Sequence, residues 1–160
     1  MPTAGTHFHP TKILVPNDFS VSSIAALAAA TDLALLFHAE IVLVHVIPVP
    51  PIMSGDDLPM PFLERQEFLQ IAEKQAQETF TQSVSDLSGK GIEASFKVEA
   101  SNDVVNTVLS TIEQLGIDML VLSTHGMSGW RPMVFGSIAE KLIKLAGCPV
   151  LLLRSASTPA

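Results

Sequence analysis

At 160 residues and 17.1 kDa, with 48% hydrophobic and 16% charged residues, the chain can build one packed core and lies far from disordered compositions. A net charge of −7, from 16 acidic against nine basic side chains, excludes a broad cationic face for nucleic acid. The single cysteine, Cys148, excludes an internal disulfide or a cysteine-built metal site.

Met1 to Lys12 holds no apolar secretion core and is read as a flexible arm over residues 1–11, with a short tail at 155–160. His7 and His9 lie in that arm with no further ligand nearby. No stretch reaches the roughly 18 consecutive apolar residues of a membrane helix, so a cytoplasmic location is expected. Ile13-Leu14-Val15 then predicts a short strand buried on both faces, ended by Pro16-Asn17-Asp18. From Ser20 the pattern turns helical, with Ile24, Leu27, Ala28, Thr31 and Leu35 on one face and many alanines for close packing. Asp18 or Ser20 caps its start. No glycine ends this helix, so the turn at His38-Ala39 falls to a residue with a side chain.

Ile41 to Val46 predicts a second buried strand, in which His45 reads as a satisfied core histidine. Prolines 48, 50, 51, 59 and 61 follow and bar regular structure, making a crossover or a flap. A long helix is expected from Glu64 to Leu87, facing inward through Phe68, Ile71, Ala72, Gln75, Thr79 and Val84, and ending at Gly89-Lys90-Gly91. Ile92 to Val98 alternates apolar and polar, as an edge strand with one wet face does. Ser101 or Asn102 caps a helix through Val104, Val105, Val108, Leu109 and Ile112, closed by Gly116. Ile117–Leu122 forms a fourth strand, Ser123–Phe135 a long turn, Ser137–Ala146 a helix, and Val150–Leu153 a last strand.

Strands alternating with helices require a largely parallel α/β sheet, with helices on both faces and any ligand beyond the carboxyl ends of the strands. Asp18, the residues after Val46 and the 123–137 loop share that rim. Within the loop, Gly126 and Gly129 follow a strand and Gly136-Ser137 opens a helix, whose free amides and positive dipole end can hold a phosphate. The competing reading is a tight turn with Ser137 as a helix cap. No Walker lysine follows.

Three separated signatures resemble the universal stress protein family, in its adenine-nucleotide-binding branch. They are Lys12-Ile13-Leu14-Val15-Pro16-Asn17-Asp18-Phe19-Ser20, Leu43-Val44-His45-Val46, and Gly136-Ser137-Ile138-Ala139-Glu140 leading to Cys148-Pro149-Val150-Leu151. The resemblance spans Lys12 to Arg154, so residues 12–154 are expected as a single domain of that kind. It implies a Rossmann-like open parallel sheet of five strands in the order 3-2-1-4-5, with the 92–98 and 150–153 strands at the edges.

The family's nucleotide motif is a glycine, two residues, a glycine, nine residues, then glycine and serine or threonine. Gly126, Gly136 and Ser137 match it, and Ser123 stands at the first glycine. The resemblance implies that Asp18 bonds the ribose and that the Val46 backbone meets the adenine edge. Gly126, Gly129, Gly136, Ser137 and the Ile138 amide would cradle the phosphates of ATP, with or without magnesium. Asp18 as a helix cap, His125 as loop packing and Arg131 as a solvent-facing cation remain open beside phosphate contacts for the last two.

No catalytic residue and no metal ligand is assigned, because the loop from Ser123 to Ser137 carries no carboxylate. Low surface charge and an apolar terminal strand agree with the family's habit of dimerising through its last strand. The implied function is therefore a stress-response or signalling protein that binds ATP with little or no hydrolysis. A nucleotide-free interaction dimer is the alternative.

Overall fold

A computed structural model describes residues 8–50, 62–124 and 136–154. Strand β1 (Lys12–Pro16) leads into α1 (Val21–Phe37), β2 (Glu40–Ile47), α2 (Phe62–Gly89) and β3 (Ala94–Ala100). Helix α3 (Val104–Leu115), β4 (Met119–Ser123), α4 (Ser137–Leu145) and β5 (Val150–Leu153) complete the order. The sheet runs β3-β2-β1-β4-β5, every pair parallel, as expected from the sequence.

Side chains of a strand alternate between faces, so the largely apolar central strands feed two cores. Ile13, Val15, Ile41, Leu43, Met119 and Val121 pack with Ala26, Ala30 and Ala34 of α1 and Phe80 and Leu87 of α2. Leu14, Val42, Val44, Leu120 and Leu122 pack with Val108 and Ile112 of α3 and Ala139 and Leu142 of α4.

Two helix faces differ from expectation. Helix α1 is apolar on all sides, so its spacing gives no direction. The small residues Ser23, Ala26, Ala30, Thr31 and Ala34 face the sheet, while Ile24 and Leu35 face outward. Alanines let the helix axis approach the strands, which a row of leucines would prevent. In α2 the inward residues are Ala76, Phe80 and Leu87, and Phe68 and Ile71 are exposed. Helix α1 ends at His38, in the left-handed conformation at φ 57°, so a residue with a side chain does make that turn.

Two strands begin two residues later than their apolar pattern suggests, because the preceding isoleucine closes a helix. Ile92 N–H bonds the Leu87 carbonyl at 3.0 Å, and Ile117 N–H bonds the Ile112 carbonyl at 3.0 Å. Gly116, at φ 64°, supplies the left-handed residue that the second closure needs. The cap of α3 is Asp103, whose carboxylate accepts the Asn106 N–H at 2.9 Å, rather than Ser101 or Asn102.

At the amino ends of the strands, the Asp118 carboxylate accepts the Thr11 and Lys12 amides at 2.9–3.0 Å and the Thr11 hydroxyl at 2.6 Å. Pro10 is buried, and Phe8 and His9 meet the Phe37 ring edge-on. Cys148 is half-buried. Burial, and then the Asp118 charge, pushes its thiol above the ordinary value and keeps it protonated. Among the described residues, no helix is long and apolar enough to cross a membrane.

Candidate functional site

The opposite rim lies at the carboxyl ends of the strands, where β1, β2 and β4 end at Pro16, Ile47 and Ser123. The turn after β1 is built around Asn17, which is buried. Its backbone N–H reaches the Val44 carbonyl at 2.9 Å, and its own carbonyl accepts the His45 Nδ1–H at 2.8 Å. Its side-chain Oδ1 accepts the Phe19 amide at 2.7 Å and the Ser23 hydroxyl at 2.9 Å. Phe19 sits at φ 63°, a left-handed conformation that costs a bulky residue about 1–3 kcal/mol. Its ring packs on His45, with centroids 4.5 Å apart, and on Phe80 at 5.2 Å, which offsets that cost.

Asp18 stands between these two anchored residues, exposed on the rim. Its Oδ1 accepts the Ser20 amide at 3.0 Å, while the helix cap is Ser20, whose hydroxyl accepts the Ser23 N–H at 3.2 Å. Asp18 therefore shapes the turn but does not cap the helix. Partial desolvation pushes its carboxyl up, yet hydrogen bonds from Ser20 and Ser23 outweigh this and hold it below the ordinary aspartate value. Because the folded value is the lower one, this contribution to stability is present above the unfolded aspartate value. It is lost as pH falls through the folded one.

Strand β2 outruns β1 at this end. Pro16 pairs with Val44, the last partner of the β1–β2 ladder. The Glu40 N–H and the Val44 carbonyl both point at the β1 side, while Ile41 N–H points at the β3 side. By the same alternation the N–H and C=O of Val46 point past the end of β1 into the rim. One residue thus offers a donor and an acceptor side by side.

Helix α4 starts at the same rim. The Gly136 N–H bonds the Thr124 carbonyl at 3.1 Å, and the first bond within the helix runs from Glu140 N–H to the Gly136 carbonyl at 3.0 Å. The amides of Ser137, Ile138 and Ala139 precede that bond, and the glycine at the cap position supplies no side chain to cover them. Gly136 has φ −55°, which any residue adopts. The nearest described atom to a Cβ placed there is the Thr124 carbonyl oxygen at 3.4 Å.

These three elements border one cleft of about 380 Å³, within the range of small-molecule sites. Asp18, Val46, Gly136, Ser137 and Ile138 all line it. Gly126 and Gly129, with His125 and Arg131, lie outside the described residues. The sequence reading missed the apolar wall, made by Val44, Val104, Val108, Leu122 and Leu142. The start of α3 at the rim where β3 ends is the signal that could have added Val104 and Val108. His45 is satisfied, as read, but it also lines the cleft. Among the described lining residues Asp18 is the sole acid, and there is no Lys or Arg.

An open parallel sheet with a ligand-sized cleft beyond its strand ends defines a Rossmann-like α/β binding protein. The family model described as the universal stress protein family matches residues 10–154, and the chain belongs to that family. Universal stress protein MJ0531 of Methanocaldococcus jannaschii is 29% identical over 150 residues, covering 89% of this chain and 81% of the relative. The solved structure of MJ0577, from the same organism, superposes with a TM-score of 0.80 at 22% identity. It covers 94% of this chain and 100% of that one. The universal stress protein from Archaeoglobus fulgidus in complex with dAMP superposes with a TM-score of 0.59 at 20% identity, covering 91% and 98%.

Proposed function

We propose that this universal stress protein binds ATP in the cleft, as a stress-response protein with little or no hydrolysis. The observation that carries the reading is the convergence of three complementary groups on one cavity. The Val46 N–H and C=O match the acceptor and donor edge of adenine. The Asp18 carboxylate is ionised at neutral pH and can only accept, which suits the ribose hydroxyls. The first-turn amides of Ser137, Ile138 and Ala139, at the positive end of α4 with a glycine at the cap position, suit phosphate oxygens. A relative with dAMP bound supports an adenine nucleotide over other small anions. Gly126 and Gly129 would complete the phosphate cradle. Among the described residues no three His, Cys, Asp or Glu are gathered to hold a metal, so magnesium would arrive with the phosphates.

The test is calorimetric titration of nucleotide-stripped protein and of Gly136→Val with ATP and magnesium. The φ of −55° at Gly136 suits a residue with a side chain, and a branched side chain there crowds the amides the phosphates need. A circular dichroism melt of the variant checks that it folds. Binding by the parent and a loss of about tenfold or more in the variant are expected, the scale of one charged hydrogen bond. A flat titration of the parent at millimolar ATP would move the reading to a nucleotide-free interaction dimer.

The reading includes a homodimer through β5, an edge strand whose four residues are all partly exposed. A second β5 would satisfy its open backbone groups and cover its leucines. Sedimentation at micromolar concentration should give twice the 17.1 kDa chain mass. A strict monomer would contradict this pairing.

A further inference from the structure

We propose that His45 is the positioning residue for the Asp18 carboxylate, and that it couples ribose recognition to base recognition along β2. The proposal rests on nucleotide binding in this cleft. His45 holds both sequence neighbours of Asp18. On one side its Nδ1–H donates to the Asn17 carbonyl at 2.8 Å, and on the other its ring lies against the Phe19 ring with centroids 4.5 Å apart. A carbonyl oxygen can only accept, so Nδ1 carries the proton in this bond. Asn17 passes the restraint on, because its Oδ1 fixes the Phe19 amide at 2.7 Å and the Ser23 hydroxyl of α1 at 2.9 Å. Asp18 is thereby clamped between two residues tied to β2.

Strand geometry makes this more than packing. His45 turns its side chain to the face of α2, where it also meets Phe80 edge-on with centroids 6.4 Å apart. The very next residue, Val46, turns its backbone pair into the cleft. Any shift of β2 that moves the groups facing the base therefore moves the carboxylate facing the ribose. A carboxylate on an untethered turn would lack that fixed spacing.

Two substitutions separate this role from a structural one. His45→Asn keeps a donor near the Nδ1 position and loses the ring, whereas His45→Phe keeps the ring and loses the donor. If His45 only fills space, the phenylalanine variant is the better substitute in both stability and binding. If it positions the turn, the order of binding inverts. His45→Asn should then hold ATP affinity within about threefold, and His45→Phe should lose about tenfold, one hydrogen bond's worth.

Amide exchange in the nucleotide-free protein supplies the second measurement. The Phe19 and Ser20 amides should stay protected in His45→Asn and exchange about tenfold faster in His45→Phe. A nitrogen-15 spectrum of the parent should find the His45 ring protonated at Nδ1. The opposite tautomer, or a phenylalanine variant that matches or exceeds the asparagine variant in turn protection, overturns the proposal. Failure of the parent to bind ATP would instead overturn the reading of the site, while the tautomer and exchange ranking still decide the role of His45.

Discussion

Replacing Phe80 with alanine is expected to lower stability by about 3–5 kcal/mol, measured as a shift in the urea unfolding midpoint. Among the described residues Phe80 is the largest fully buried side chain. Its ring meets Phe19 at 5.2 Å and Phe96 at 5.5 Å, so it joins the turn before α1 to the edge strand β3. Truncation would leave a cavity that rigid strands on one side cannot close. It would also remove the packing that offsets the left-handed backbone of Phe19. The contrasting variant is Phe68→Ala on the same helix, where the ring is 43% exposed and the change should stay near 0.5 kcal/mol, the usual scale for surface sites. Equal costs at the two positions would mean that α2 is rotated relative to the sheet, with the face suggested by sequence spacing turned inward after all.

The second large effect concerns ligand affinity. Asp18→Ala should weaken ATP binding by about ten- to a hundredfold, from a charged-group hydrogen bond worth about 1.5–3 kcal/mol. Asp18→Asn keeps an oxygen to accept the Ser20 amide and removes only the charge, so loss of affinity in this variant without loss of folding isolates the ribose contact. The parent carboxyl is held below the ordinary aspartate value. Its advantage over Asp18→Asn should therefore persist as pH falls to that value and close only below it. Equal affinities of the two proteins at neutral pH would remove Asp18 from the site.

How far the sequence carries depends on how local the determining interaction is. Strands β1 and β2 are legible because their runs are apolar on both faces, which only the middle of a covered sheet accommodates. The rim is legible because Asp18 follows the end of β1, Val46 lies near the end of β2 and Gly136-Ser137 opens α4, and topology sends all three to one edge. The inward face of α1 is not legible, since a helix apolar all round has no preferred side until the sheet selects its alanines. The same holds for the start of β3, where Ile92 fits the strand alternation but is used to close α2.

Least accessible is the restraint on Asp18. His45 and Asn17 are 28 residues apart, and their bond depends on how far β2 extends past β1. An apolar strand containing one histidine signals a satisfied side chain. It does not say that the acceptor lies beside the carboxylate of the site.

The central claim, ATP in the cleft at the carboxyl ends of β1, β2 and β4, is tested most directly by following the backbone amides during an ATP titration by nuclear magnetic resonance. Binding there should move the amides of Asp18, Val46, Ser137 and Ile138 together, with one common dissociation constant. The amides of Thr11, Lys12 and Asp118, at the opposite rim, should stay in place. An unchanged spectrum at millimolar ATP, or shifts confined to residues outside the cleft, would contradict the account.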